Sequence, residues 1–127
     1  MKIKETLTEY GISVVAFDEN NKVLGVSECS IMNMITPLKK QEDCLYFNRI
    51  FVKPEYRNKG IGKEILSRML KIVEDLELPI SCDINPYGDL NYNELHRWYI
   101  SFGFKEYEME YKGFRHKQLW FNLKESV

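Results

Sequence analysis

The stretch Ile50-Phe-Val-Lys-Pro-Glu-Tyr-Arg-Asn-Lys-Gly-Ile-Gly-Lys63 decides how this chain is read. The run that feeds it, Cys44–Val52, is apolar except at Asn48 and Arg49, and Pro54 ends it because proline cannot donate to a sheet ladder. That run reads as a central strand covered on both faces. A short loop then carries Arg57, Asn58 and Lys59, and Gly60 and Gly62 open a helix. The helix announces itself by a change of period. Ile61, Ile65, Met69, Ile72, Val73 and Leu76 share one face, with Lys63, Glu64, Arg68, Lys71 and Glu74 elsewhere. The first turn of any helix presents unpaired backbone N–H groups and the positive end of the helix dipole. Two glycines there remove the Cβ atoms that would hold a phosphate away. From Lys53 to Lys63 four positive side chains face one negative, so the local field agrees with the backbone. The natural guest is a pyrophosphate. A Walker A loop is excluded because Arg57 stands where its first glycine belongs, and G-x-G-x-x-G fails at Ile65.

Toward the N-terminus, Ile3 to about Leu7, Ile12–Phe17 and Val23–Met34 read as strands, with the polar connection Asp18–Lys22 suited to a hairpin. Thr36–Asp43 holds Pro37, Lys39, Lys40, Glu42 and Asp43 and reads as a surface loop. Beyond the helix, Pro79–Asp83 is a short strand, and a strand–helix–strand unit implies parallel pairing with a right-handed crossover. After a turn cluster at Asn85–Asn91, a helix runs from about Tyr92 to Ser101 and stops at Gly103. A hairpin closes the chain, with Arg115 and Lys117 set to face the row Glu106, Glu108 and Glu110. The order predicts an α+β fold in one domain, residues 1–127. Its centre is a mixed, mostly antiparallel sheet with a strand–helix–strand core and a C-terminal hairpin.

Composition narrows the function. The chain has 127 residues and 15.1 kDa, with 18 Lys+Arg against 19 Asp+Glu, a net charge of -1 and pI ≈ 6.1. That balance speaks against bulk capture of nucleic acid or of an anionic membrane. The first twenty residues include Lys2, Lys4, Glu5, Glu9, Asp18 and Glu19, which leaves no signal-peptide apolar core, and no apolar run could span a bilayer. The expected setting is cytoplasmic. Cys29, Cys44 and Cys82 are odd in number and lack any C-x-x-C pair, and His96 and His116 are too few to make a metal site convincing.

Arg57-Asn-Lys-Gly60-Ile-Gly62 resembles the R/Q-x-x-G-x-G/A pyrophosphate loop of the GNAT superfamily of N-acetyltransferases. The preceding Arg49-Ile-Phe-Val-Lys-Pro54 resembles the strand that leads into it, and Leu95-His-Arg-Trp-Tyr99-Ile-Ser-Phe-Gly103-Phe104 resembles the family's L-x-x-x-Y-x-x-x-G-F segment. The resemblance implies an enzyme that moves an acetyl group from acetyl-CoA to a primary amine, with coenzyme A as the cofactor. It implies that Phe51 and Val52 hold the pantetheine arm through backbone groups, like an added strand. Backbone amides of Arg57, Asn58, Lys59, Gly60, Ile61, Gly62 and Lys63 would hold the pyrophosphate, with the charge of Arg57, Lys59 or Lys63 helping. A backbone N–H near Val52 would stabilise the oxyanion, and Tyr99 would protonate the departing thiolate, since a phenol keeps its proton at neutral pH. Taken alone, Tyr99 reads better as an ordinary core tyrosine on an apolar helix face.

Three departures from the family pattern matter. The family's asparagine, seven residues before the tyrosine, is replaced by Tyr92, with Asn91 and Asn93 out of register. The strand before the phosphate loop carries no acid, which leaves Glu28, Asp43 or Asp83 as the base through water. Only Thr8–Gly11 separates the first two strands, too little for the two helices that usually wall the acceptor site. The acceptor side should be open unless the Thr36–Asp43 loop, or a second subunit in a homodimer, covers it. An open cleft suits an amine on a large partner, such as a protein lysine or N-terminus. The alternatives are a small-molecule amine, a catalytically inactive coenzyme A-binding or protein-interaction module, and transfer to a nucleic-acid base, which the acidic pI disfavours.

Overall fold

The structure, a computed structural model, describes residues 1–86 and 89–124. Tyr87 and Gly88, within the expected turn cluster, lie outside the described residues. Strand β1 (Lys2–Thr8) pairs with β2 (Gly11–Phe17), and β2 with β3 (Val23–Ile35), both antiparallel. Along β2 the burial alternates, with Ile12, Val14 and Ala16 inside, as a strand covered on one face requires. Strand β4 (Gln41–Val52) returns antiparallel to β3, and a short turn at Pro54–Tyr56 leads to helix α1 (Ile61–Leu76). Strand β5 (Ile80–Cys82), helix α2 (Tyr92–Ser101) and the hairpin of β6 (Lys105–Tyr111) and β7 (Phe114–Phe121) complete the order. The sheet runs β1-β2-β3-β4-β5-β7-β6, antiparallel everywhere except β4 against β5. This is the expected α+β arrangement, with the helix of the crossover where its period placed it.

Helix α1 buries Ile61, Ile65, Leu66, Met69, Leu70 and Val73 against β2, β3 and β4. Each such side chain contributes about 1.5–3 kcal/mol when fully buried, so this face anchors the fold. Tyr99 of α2 joins the same cluster, together with Leu45, Phe47, Ile80, Cys82 and Leu119. Cys44, Ser81 and Trp120 are buried outside that cluster. The register pairs Ser81 with Tyr46 and with Trp120, which places all these side chains on the opposite face of the sheet. In the terminal hairpin Glu108 stands opposite Lys117 and Glu110 opposite Arg115, so the charged row meets its complement.

The expected surface loop at Thr36–Asp43 is corrected. Strand β3 continues to Ile35 and β4 begins at Gln41, leaving a tight turn in which Thr36 is buried. Lys39 and Lys40 stay in that turn, while Glu42 and Asp43 sit exposed on β4. The reading of Cys44–Val52 as covered on both faces also changes, because Asn48 and Arg49 are exposed and Ile50 to Val52 are half-buried.

Helix α2 begins with a reciprocal cap. The Asn91 side chain accepts from the Glu94 amide at 2.9 Å, and the Glu94 carboxylate accepts from the Asn91 amide at 3.1 Å. Asn91 is therefore engaged in starting the helix. Asn91→Ala should cost about 1 kcal/mol. In a domain of this size that lowers the melting temperature by about 4 °C, which a thermal melt followed by circular dichroism reads directly.

Candidate active site

Strand β4 pairs with β5 only at Leu45 with Ile80 and Tyr46 with Ser81. Beyond Tyr46 the two strands part, and β4 runs on to Val52 without a neighbour on that side. The other edge of β4 carries a bulge. Phe47 pairs with Cys29 and Arg49 with Glu28, so Asn48 is the extra residue. Its side-chain amide donates to Ser30 Oγ at 2.6 Å. The parting of the strands opens a cleft of about 310 Å³.

Of the residues singled out from the sequence, Phe51, Val52, Arg57, Asn58, Gly60, Ile61, Gly62, Lys63 and Tyr99 all line this cleft. Lys59 does not; its ammonium lies over the Tyr56 ring, 5.7 Å from the centroid. Asn58 and Gly60 both take positive φ, 63° and 81°, and Gly60 is the N-cap of α1. A Cβ built on Gly60 would meet nothing within 4 Å, so its open side faces space that a ligand can use. Left-handed residues at a helix start turn successive amides toward one point, the concavity that binds anions.

Arg57 does more than supply charge. Its Nε donates to the Val52 carbonyl at 2.9 Å and its Nη1 meets Asp89 Oδ1 at 2.9 Å. The guanidinium also lies over the Phe51 ring, 5.6 Å from the centroid. The arginine thus braces the end of β4 against the phosphate loop. Asp89, Leu90, Asn85 and Trp98 also line the cleft, and sequence spacing gave no sign of them. They come from the connection after β5 and from α2, and only the path of the chain brings them back.

Tyr99 is 6% exposed and is held edge-on by Phe47, Trp98 and Phe104, with centroids 6.0, 5.3 and 5.5 Å away. Its hydroxyl hydrogen-bonds the Cys82 thiol. Burial pushes that thiol up to about 12 despite the bond, so Cys82 stays protonated and is no nucleophile. Burial likewise raises Cys29 and Cys44 to about 11. Among the described residues no group of three His, Cys, Asp or Glu side chains could hold a metal, and no helix is long and apolar enough to cross a membrane.

The three candidate bases separate. Glu28 pairs with Arg49 at 3.0 Å, and Asp43 accepts from the Asn33 amide at 3.2 Å near the hairpin tip. Asp83 alone of the three lines the cleft, where its Oδ2 accepts from the Tyr46 hydroxyl at 3.0 Å.

A sheet that parts over a helix opened by glycine is the architecture of an acyltransferase, and comparison with known proteins agrees. The Acetyltransferase (GNAT) domain family matches residues 9–106. The chain belongs to that family. No curated protein matches the sequence. Among solved structures, AAC(6')-Iy in complex with the bisubstrate analogue CoA-S-monomethyl-acetylneamine superposes with a TM-score of 0.63, at 17% identity over 82% of this chain and 68% of that one. The aminoglycoside antibiotic 6'-N-acetyltransferase AAC(6')-IG from Acinetobacter haemolyticus gives 0.59, at 17% identity over 82% and 69%. NAA60 from Arabidopsis thaliana, in complex with a bisubstrate analogue, gives 0.61, at 17% identity over 88% and 74%. At such identities the likeness is one of fold.

Proposed function

We propose that the protein transfers the acetyl group of acetyl-CoA to a primary amine carried on a macromolecule. One observation carries this reading: a single cleft is lined by the unpaired edge of β4, the left-handed start of α1 and Tyr99. The residues present fit coenzyme A. The backbone of Phe51 and Val52 would receive the pantetheine arm as an added strand, and the amides of residues 57–63 its pyrophosphate. Bound there, the cofactor supplies an acyl thioester with a thiol as leaving group. Lys63 adds positive charge beside the loop, and Tyr99, in its apolar setting, provides a proton donor at the inner end. Phe47, Leu95 and Trp98 line the cleft beside Tyr99 and give that end an apolar wall.

The acceptor side supports a large partner. The link between β1 and β2 is only Glu9-Tyr10, and neither it nor the Thr36–Lys40 turn lines the cleft. Neighbouring folds include enzymes named for aminoglycosides, which makes a small amine the alternative. A panel with acetyl-CoA and a polyamine, an aminoglycoside, a lysine peptide and a peptide N-terminus decides between them. The expected result is coenzyme A release with a peptide. Efficient acetylation of the polyamine or aminoglycoside, with no transfer to lysate proteins, would overturn the macromolecular acceptor. Tight coenzyme A binding without turnover on any amine would instead establish an inactive binding module.

A further inference from the structure

We propose that Asp83, held by Tyr46, receives the acceptor amine and takes its proton from the face of the sheet opposite Tyr99. The inference rests on the acetyl-transfer reading above and adds the residue that the β4 strand lacks. Among the described residues only two acids line the cleft, Asp83 and Asp89, and Asp89 is committed to Arg57. Asp83 meets no cation within ion-pair distance among the described residues. It stands one position beyond the end of β5, so its neighbour Cys82 marks the boundary between the two faces. The Cys82 side chain points to the helix face, where it meets Tyr99, while Asp83 turns to the other face, where it meets Tyr46. Proton donor and proton acceptor therefore flank the cleft from opposite sides.

Tyr46 is the positioning residue. It lies across from Ser81 in the only parallel pairing that joins β4 to β5, a place the sheet fixes. By donating to Oδ2 it sets the plane of the carboxylate and leaves Oδ1 with no hydrogen bond among the described residues. Burial and then the bond to Asp83 push the Tyr46 phenol up to about 12, so it donates across the working pH range. The other charged groups around the cleft are Arg49 on β4, Arg57 and Lys63 beside the phosphate loop, and Asp89.

The acceptor arrives as an ammonium paired with Asp83 and loses one proton to water. The neutral nitrogen attacks the thioester carbonyl carbon, forming the C–N bond. The positively charged nitrogen then gives its second proton to Asp83, the C–S bond breaks, and Tyr99 protonates the thiolate. Asp83 and Tyr99 regain their starting states by exchange with solvent.

The test compares wild type, Asp83→Asn and Tyr46→Phe. Coenzyme A affinity is measured first, by calorimetry, and should be unchanged in both variants because neither residue belongs to the phosphate loop or the β4 edge. With the best amine from the panel, Asp83→Asn should lower kcat/KM by about a hundredfold or more. Tyr46→Phe should lower kcat about tenfold with a smaller change in KM. In the unloaded protein, Asp83→Asn should bring the ultraviolet titration of Tyr46 down from about 12 toward the ordinary tyrosine value, reporting the hydrogen bond without turnover. A wild type that binds no coenzyme A overturns the acetyl-transfer reading and this assignment with it. Intact coenzyme A binding, with Asp83→Asn as active as wild type at every pH, overturns the assignment alone.

Discussion

Gly60→Val is expected to abolish coenzyme A binding while the protein still folds. Gly60 holds φ at 81°, so valine there costs on the order of 1–2 kcal/mol in backbone strain. No atom lies within 4 Å of the Cβ position, so no clash adds to that cost. The branched side chain would instead fill the concavity at the N-terminus of α1, where a pyrophosphate must approach the amides. Loss of phosphate contacts of this kind should raise the dissociation constant at least a hundredfold, beyond reach in a calorimetric titration. Gly113 supplies the control, since it holds φ at 82°, also has nothing within 4 Å, and lies in the turn between β6 and β7. Gly113→Val should show the same loss of thermal stability and bind coenzyme A normally. Wild-type affinity in Gly60→Val would remove residues 57–63 from the cofactor site.

Tyr99→Phe should lower kcat about a hundredfold and leave the acetyl-CoA dissociation constant nearly unchanged. The three edge-on ring contacts with Phe47, Trp98 and Phe104 do not involve the hydroxyl, so phenylalanine keeps them. What goes is the proton donor and its bond to Cys82, a hydrogen bond worth about 1 kcal/mol of stability. The change in turnover is therefore separable from the change in folding. Rates must be taken where chemistry limits, from the first turnover after mixing. An unchanged first-turnover rate would make Tyr99 a packing residue and leave thiolate protonation to solvent.

The elements that carry the site were legible because their signals are local. Helix α1 follows from one apolar face, and the phosphate loop follows from Arg57, Gly60 and Gly62 at fixed spacing ahead of that face. The capping of α2 was also written in the chain, as Asn91 three residues before Glu94, although the register of the family motif drew attention to Tyr92 instead. The β3–β4 hairpin was harder. Residues 41–43 and Ile35 lie on strands past the edge of the helices, so the alternation that burial imposes is missing, and charge made the segment read as loop. Asp89 was hidden, and Asp83 could not be told from Glu28 and Asp43, for another reason. Neither stands at a motif position, and their place in the cleft depends on how far β5 runs beside β4 before the strands part. That distance is set by the Asn48 bulge and by the two residue pairs at Leu45 and Tyr46, contacts between segments far apart in sequence.

The most direct test of the account is a titration of coenzyme A into isotope-labelled protein, followed through the backbone amide signals. Binding in the cleft should shift Phe51, Val52 and the amides of residues 58–63, with Asn58 and Gly60 among the largest changes. The amides of the β1–β2 hairpin, which has no part in the cleft, should stay in place. Shifts centred on another surface, or no shifts at coenzyme A concentrations in the millimolar range, would contradict the claim that the split sheet and the glycine-opened helix form an acetyl-CoA site.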